Sequence, residues 1–367
     1  MGQELEETID RAGGTGDPPG PVRLLVEAET RLSWAMAANG VPFLRRVEVG
    51  NHGPEALTGA WLDLRVAGEA QPLHRFPLPD IAPGSAWVAE PLVLSLPEGL
   101  LRGSTERRPL TLALTVQATA GERARADLAG EVLAAQEWDR TRLPELLAAF
   151  VTPNHPAVAD LLPRVRDQVR EMTDDPALDG YRGRSRDRVR SVVDAIYRVV
   201  AGLGLTYAVA PPSFETTGQK IRPAGEIREH RLANCLEASL LVAALAELAG
   251  LHAVLVVFRA HALPGVWLVD EWLPVAASDD PDLPRKLVRC GDLLLVEGTA
   301  ALQPTPPPFV QAEQQARRRL DGEEPSWLID VRASRLSRIL PLPADGVAAP
   351  PPTDGEVGGR RQDGASP

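Results

Sequence analysis

The spacing of apolar residues changes once along this chain, near Thr141, and that change limits the fold more than any other feature. Between Val22 and Trp138 the apolar residues alternate in short runs, among them RLLVEAE, FLRRVEV, AWLDLRV, SAWVAEPLVLSL and PLTLALTVQA. Turn signals such as Asn51-His52-Gly53-Pro54 and Ala82-Pro83-Gly84 separate the runs. Short strands at this spacing, without intervening helices, predict an antiparallel β-sandwich of immunoglobulin-like type over 21–138. From Thr141 apolar residues recur every three to four positions in LPELLAAFV, AVADLLPRVRDQVREM and RDRVRSVVDAIYRVVAGLG, which predicts a helical connector over 139–205. Residues 206–343 mix the two periods. A loop from Tyr207 leads to a helix from about Cys235 to Ala249, apolar on nearly every side and stopped by Gly250. Strands follow near Ala253–Phe258, Gly265–Val269 and Leu293–Val296, then a helix over Pro308–Leu320 and a closing strand or helix over Trp327–Ile339. The expected fold class is therefore α+β multidomain. The Gly- and Pro-rich ends, 1–20 and 344–367, are expected to be disordered.

Composition excludes several functions. Against 39 Lys+Arg stand 50 Asp+Glu, a formal charge of −11, so no general polyanion-binding surface is expected. Lys220 and Lys286 are the only lysines, and no GxxxxGK[ST] phosphate loop can be written around either. The five arginines Arg182, Arg184, Arg186, Arg188 and Arg190 interleave with Ser185 and Asp187 and have few aromatic neighbours. They read as a solvated helix start, and direct nucleic-acid contact is not expected. Two cysteines suit a reducing compartment, and MGQELEETID is no signal peptide, so the expected location is cytoplasmic. The apolar stretch Leu236–Phe258 is interrupted by Glu237, Glu247, Gly250 and His252, which argues against a membrane span. Scattered histidines and two cysteines give no zinc spacing, and no metal or cofactor is expected.

The chemistry-bearing residues are Cys235, His261, Glu297 and Gln219. Cys235 falls at a helix N-terminus, where unpaired N–H groups and the helix dipole favour a thiolate. His261 lies at the mouth of the first strand after that helix and Glu297 ends another strand, an arrangement that lets an acid orient an imidazole over a thiol. Asp270 is a rival third member. The backbone N–H of Cys235 and the Gln219 amide are candidate oxyanion donors. Gln219, Lys220 and Arg222 either line a groove or brace the loop ahead of the helix. Cys290, at the end of a loop 270–290, reads as structural, His230 as a surface residue within reach of the site, and His252 and Trp267 as core.

The order of Cys, His and acid within NCLEASLLVAALAELAGLHAVLVVF, HALPGVW and VEGT resembles the transglutaminase-like branch of the papain-like cysteine peptidase and acyltransferase superfamily. Most of the chain, Leu32 to Pro343, is also similar to the N-terminal region of large bacterial superfamily-one helicase proteins. MAANGVPFLRRVEVGNHGPE, PELLAAFVTPNHPAV, ALDGY, PPSFETTGQKIR, EHRLANCLEASLL and DVRASRLSRILPLP carry that similarity. The resemblance implies a transglutaminase-like α+β domain over 206–343 with Cys235, His261 and Glu297 at the triad positions. It further implies a protein or peptide substrate and a helicase or other protein partner, although the motor itself is missing from this sequence. Two departures stand out: the acid is Glu where transglutaminases commonly have Asp, and the His-to-acid segment is long. Two functional readings follow, a thiol-dependent amide hydrolase or acyltransferase, and a non-catalytic interaction module that retains the cleft.

Overall fold

A computed structural model of the chain describes residues 20–92, 96–211, 217–343 and the backbone of 360–362. The protein is a mixed α+β chain in two compact units, 1–135 with 350–367, and 136–349. The expected disorder of 1–20 and of most of 344–367 lies outside the described residues.

The first unit contains β1 (Val22–Ala28), β2 (Arg31–Leu32), α1 (Trp34–Ala38), β3 (Leu44–Asn51), β4 (Trp61–Val66), β5 (His74–Pro77), β6 (Ala86–Ala89), α2 (Glu98–Leu101), β7 (Arg108–Ala118) and β8 (Gly121–Val132). Its two sheets run β1-β3-β6, continued by residues 360–362 against β6, and β2-β8-β7-β4-β5. The large apolar side chains alternate along these strands, and Ala113, Thr115 and Asp63 between them are buried as well. Leu110, Leu112, Leu114 and Val116 of β7 are buried, as are Leu62 and Leu64 of β4 and Val47 and Val49 of β3. The strands carry two short helices between them, which the alternation did not reveal. The first forms because Ser33 caps it, its hydroxyl accepting the Met36 N–H at 3.2 Å.

The second unit opens with β9 (Glu137–Asp139), a 3-10 turn (Pro144–Phe150), α3 (Pro156–Ala159), α4 (Leu162–Thr173) and α5 (Arg186–Ala201). Then come β10 (Thr206–Tyr207), β11 (Gly218–Lys220), α6 (Ala224–His230), β12 (Leu232–Ala233), α7 (Cys235–Leu248), β13 (Ala253–Val257), β14 (Ala262–Trp267) and β15 (Ala277–Ser278). The unit closes with α8 (Leu283–Cys290), β16 (Leu293–Leu295), a 3-10 turn (Gly298–Leu302), α9 (Phe309–Gly322), β17 (Trp327–Asp330) and α10 (Val331–Leu336). Its main sheet is antiparallel in the order β15-β17-β13-β14-β16. The helices read from the sequence as a separate connector, 139–205, are part of this unit. The apolar face of α5, including Val189, Val193, Ile196 and Val200, is buried against α7, the second 3-10 turn and α9.

Helix α7 is buried along nearly its whole length, from Leu236 to Ala246, and packs on β13 and β14. Gly265 sets how closely the sheet closes under it. A Cβ there would lie 2.5 Å from Leu295 Cδ2, 2.8 Å from Val254 Cγ2 and 2.9 Å from the Leu294 carbonyl. The stretch 270–290, read as a loop, contains β15 and α8. Leu283, Leu287 and Val288 of α8 pack onto the core formed by Val254, Val256, Leu293 and Leu295. Among the described residues, no helix is long and apolar enough to cross a membrane.

Candidate active site

Three local devices bring Cys235, His261 and Glu297 together. The first is the start of α7. Asn234 caps the helix by accepting the Glu237 N–H at 3.0 Å, while Glu237 Oε2 accepts the Asn234 N–H at 2.8 Å. Glu237 also accepts the Arg222 backbone N–H at 2.8 Å and its guanidinium at 2.7 Å. Another guanidinium nitrogen of Arg222 donates to the Val209 carbonyl at 2.7 Å. Arg222 therefore braces the loop against the helix. Full burial pushes the Glu237 carboxyl above its ordinary pKa despite these donors. Cys235 is thereby fixed as the first helical residue, and none of the described hydrogen bonds uses its N–H.

The second device is the β13–β14 hairpin. The Phe258 N–H donates to the His261 carbonyl at 2.8 Å, and Arg140 donates to the Arg259 carbonyl at 2.7 Å, which pins the turn. The Ser239 hydroxyl, one turn into α7, donates toward the carbonyls of Cys235 at 2.7 Å and Ala262 at 3.1 Å. It ties the first turn of the helix to the residue after His261.

The third device carries the acid. Glu297 leaves β16 and caps the following 3-10 turn, accepting the Thr299 N–H at 3.1 Å and the Thr299 hydroxyl at 2.6 Å. Gly298 packs against α7 and β14: a Cβ there would be in ordinary contact, 3.5 Å from Ala238 Cβ and 3.6 Å from Pro264 Cδ. His261 Nε2 meets both Glu297 oxygens, Oε2 at 2.9 Å and Oε1 at 3.1 Å. Both side chains are largely buried, 12% and 7% exposed, so the pair is shielded from water.

The electrostatics follow from this geometry. Burial works to lower the His261 pKa, but hydrogen bonds and charge from Cys235 and Glu297 outweigh it and raise the value to about 9. Burial likewise works to raise the Glu297 pKa, and His261 and Thr299 reverse it, leaving the carboxyl below its ordinary value. With Nε2 committed to Glu297, Nδ1 is the ring nitrogen left for Cys235. His261 and Glu297 titrate as a coupled pair.

The remaining candidates fall elsewhere. Asp270 is exposed and lies 3.8 Å from His252 Nε2, so it partners a different histidine. Gln219 is on β11 opposite Trp138, and none of the described hydrogen bonds joins its side chain to Cys235, His261 or Glu297. His230 is exposed at the end of α6, and Cys290 is exposed at the end of α8. His252 is only half-buried and stacks on Tyr181, whereas Trp267 is core and donates to Asp330 at 2.9 Å. Of the five arginines, three are engaged within the fold. Arg186 binds Asp292 at 2.6 Å and the Gly291 carbonyl at 2.9 Å, Arg188 binds Thr173 and the Asp175 and Ala177 carbonyls, and Arg190 pairs with Glu313. Among the described residues, no group of three or more His, Cys, Asp or Glu side chains is placed to hold a metal.

Two residues at the site went unread in the sequence. Tyr207 on β10 pairs with β12, the strand that leads directly into Cys235. Its phenol is raised in pKa by burial first, then by the charges of Cys235, Glu237 and Glu297, which places it beside the candidate triad. Arg319 of α9 sits 3.5 Å from Glu297 Oε2. The alternation of β-formers in TYAV was the available signal for the first, and nothing in sequence distinguished the second from any other helix arginine. A cleft lined by His155, Arg222, Ile227, Leu240, Leu241 and Ala244 lies on the opposite face of α7 from Cys235, so it is not the reaction cleft. No family model, no curated protein and no solved structure matches the chain.

Proposed function

We propose that the second unit carries out thiol-dependent acyl chemistry, either hydrolysis of an amide or transfer of its acyl group to an amine. The observation that carries this reading is the Glu297–His261 pair at 2.9 Å, with Cys235 at a helix N-terminus as the second side chain acting on the imidazole. In this account His261 Nδ1 takes the Cys235 proton, and the thiolate attacks the amide carbonyl carbon. The unused N–H of Cys235, at the positive end of α7, meets the oxyanion. His261 then returns the proton to the departing amine, leaving a thioester for water or a second amine. Glu297 keeps Nε2 protonated and holds the ring plane throughout.

The same reading takes the second unit as transglutaminase-like and the two sheets of the first as an immunoglobulin-like sandwich that docks a partner, in keeping with the sequence resemblance. By that resemblance the partner is a helicase and the substrate a protein or peptide. Incubation with casein and a fluorescent primary amine tests the chemistry. Amine incorporation marks transfer, new peptide ends mark hydrolysis, and both must vanish in Cys235→Ala. A product that persists in Cys235→Ala rules out this nucleophile.

A further inference from the structure

Glu297 lies between two cations. On one side is His261, and on the other is Arg319 of α9, whose Nε is buried, 3.5 Å from Glu297 Oε2, and without a hydrogen-bond partner. That contact is ionic, not a hydrogen bond. The guanidinium is aimed by Glu323, the residue that ends α9, which accepts from Arg319 at 2.6 Å. The Glu297 backbone is held to the same helix, its N–H donating to the Ala312 carbonyl at 3.1 Å. We infer that Arg319 is a positioning residue of the Cys235–His261–Glu297 site, holding Glu297 ionised whatever the charge on His261. This inference rests on the reading of that site as a working triad.

The reasoning is electrostatic. A buried carboxyl flanked only by an imidazole regains its desolvation penalty whenever the imidazole becomes neutral, and it is then prone to take a proton. A second, permanent cation removes that dependence. Among the described residues, the charged or titratable groups that bear on Glu297 are His261 just ahead of β14, Arg319 of α9 and Tyr207 of β10, with Thr299 donating from the 3-10 turn and Cys235 of α7 acting on His261. Glu323 faces Arg319 from just past the end of α9, while Glu313 of α9 is taken up by Arg190 and Arg317. Removing a positive charge from this set makes every protonated form more favourable. His261 and Glu297 must then both titrate at higher pH, by about half to one pH unit. A purely structural loosening does the opposite to His261, because weakening its contact with Glu297 lowers its pKa.

The sign of the shift therefore decides the matter. The test is NMR titration of the His261 imidazole in the full chain, in wild type, Arg319→Met and Arg319→Lys. The expected result is an upward shift in Arg319→Met and a return toward wild type in Arg319→Lys. No shift, or a downward one, overturns the inference. Alkylation of Cys235 in wild type is read alongside: an unreactive thiol at every pH removes the catalytic reading, while the titration still rules on Arg319. If Arg319→Met does not fold, Glu323→Gln, which releases the guanidinium without removing it, is titrated in its place. An unchanged His261 there also overturns the inference.

Discussion

Replacing Glu297 by Gln separates charge from shape at the centre of the proposed site. The carboxamide retains an acceptor oxygen for His261 Nε2–H and nearly the same volume, so the change is one of electrostatics. The His261 pKa is raised from 6.5 to about 9, against the pull of burial. That rise is about 2.5 pH units, or about 3 kcal/mol, and is a lower bound on what its partners supply together. The hydrogen bond with Cys235 raises it most, followed by the hydrogen bond and then the charge of Glu297. Assigning Glu297 a third or more of the total predicts that the His261 pKa falls by at least about one pH unit in Glu297→Gln. The assay is NMR titration of the imidazole, with the resonance assigned by its absence in His261→Ala. Stability must move with it. A histidine whose folded pKa is raised stabilises the fold fully below its unfolded value of 6.5, and the contribution is lost as pH rises through about 9. Wild type should therefore lose stability between those limits, and Glu297→Gln should show a smaller loss at lower pH. An imidazole that titrates in Glu297→Gln as it does in wild type would refute the account of the pair.

Three further outcomes follow from the fold. Gly265→Ala forces a Cβ to within 2.9 Å of a backbone carbonyl as well as two side chains, so it should cost about 1–3 kcal/mol in urea unfolding; a neutral result contradicts the close strand approach. Asn234→Ala removes the cap that positions Cys235 and should lower stability by about 1–2 kcal/mol while slowing Cys235 alkylation, whereas unchanged melting and labelling would leave the capping box without a role. Arg188→Ala should lower stability by about 2 kcal/mol through loss of its bonds to Thr173 and two carbonyls, and the intact chain should show no salt-dependent affinity for duplex DNA at 0.15 M salt. A steep salt dependence would return the arginine cluster to nucleic-acid binding.

What the sequence made legible was local. The helix from Cys235 was readable because it is apolar on nearly every side and is stopped by Gly250, and the structure ends it at Leu248. Glu297 was readable because Leu293–Leu295 is a short apolar run that must be a buried strand. Strand β14 was read as starting too late, at Gly265, because Pro264 counts against a strand. Gly265 itself lets the strand approach Leu294 and Leu295 closely. Helix α8 was hidden by its acidic lead-in, Asp279, Asp280 and Asp282, although Leu283 and Leu287 stand one turn apart on its buried face. The choice between Asp270 and Glu297 was beyond the sequence. It depends on which strand end the hairpin turn at His261 faces, and the structure answers with a 2.9 Å contact to Glu297. Arg319 was invisible for the same reason: its place arises from α9 being folded against Glu297, more than twenty positions away.

The central claim is that Cys235 is an activated nucleophile made so by His261. Alkylation by iodoacetamide, followed by mass spectrometry from pH 5 to 9 in wild type and His261→Ala, tests it most directly, with the exposed Cys290 as internal control. The account predicts labelling of Cys235 at pH 6 that far outpaces Cys290 and is lost in His261→Ala. Equal, slow labelling of both cysteines at that pH, unchanged by the substitution, would contradict it.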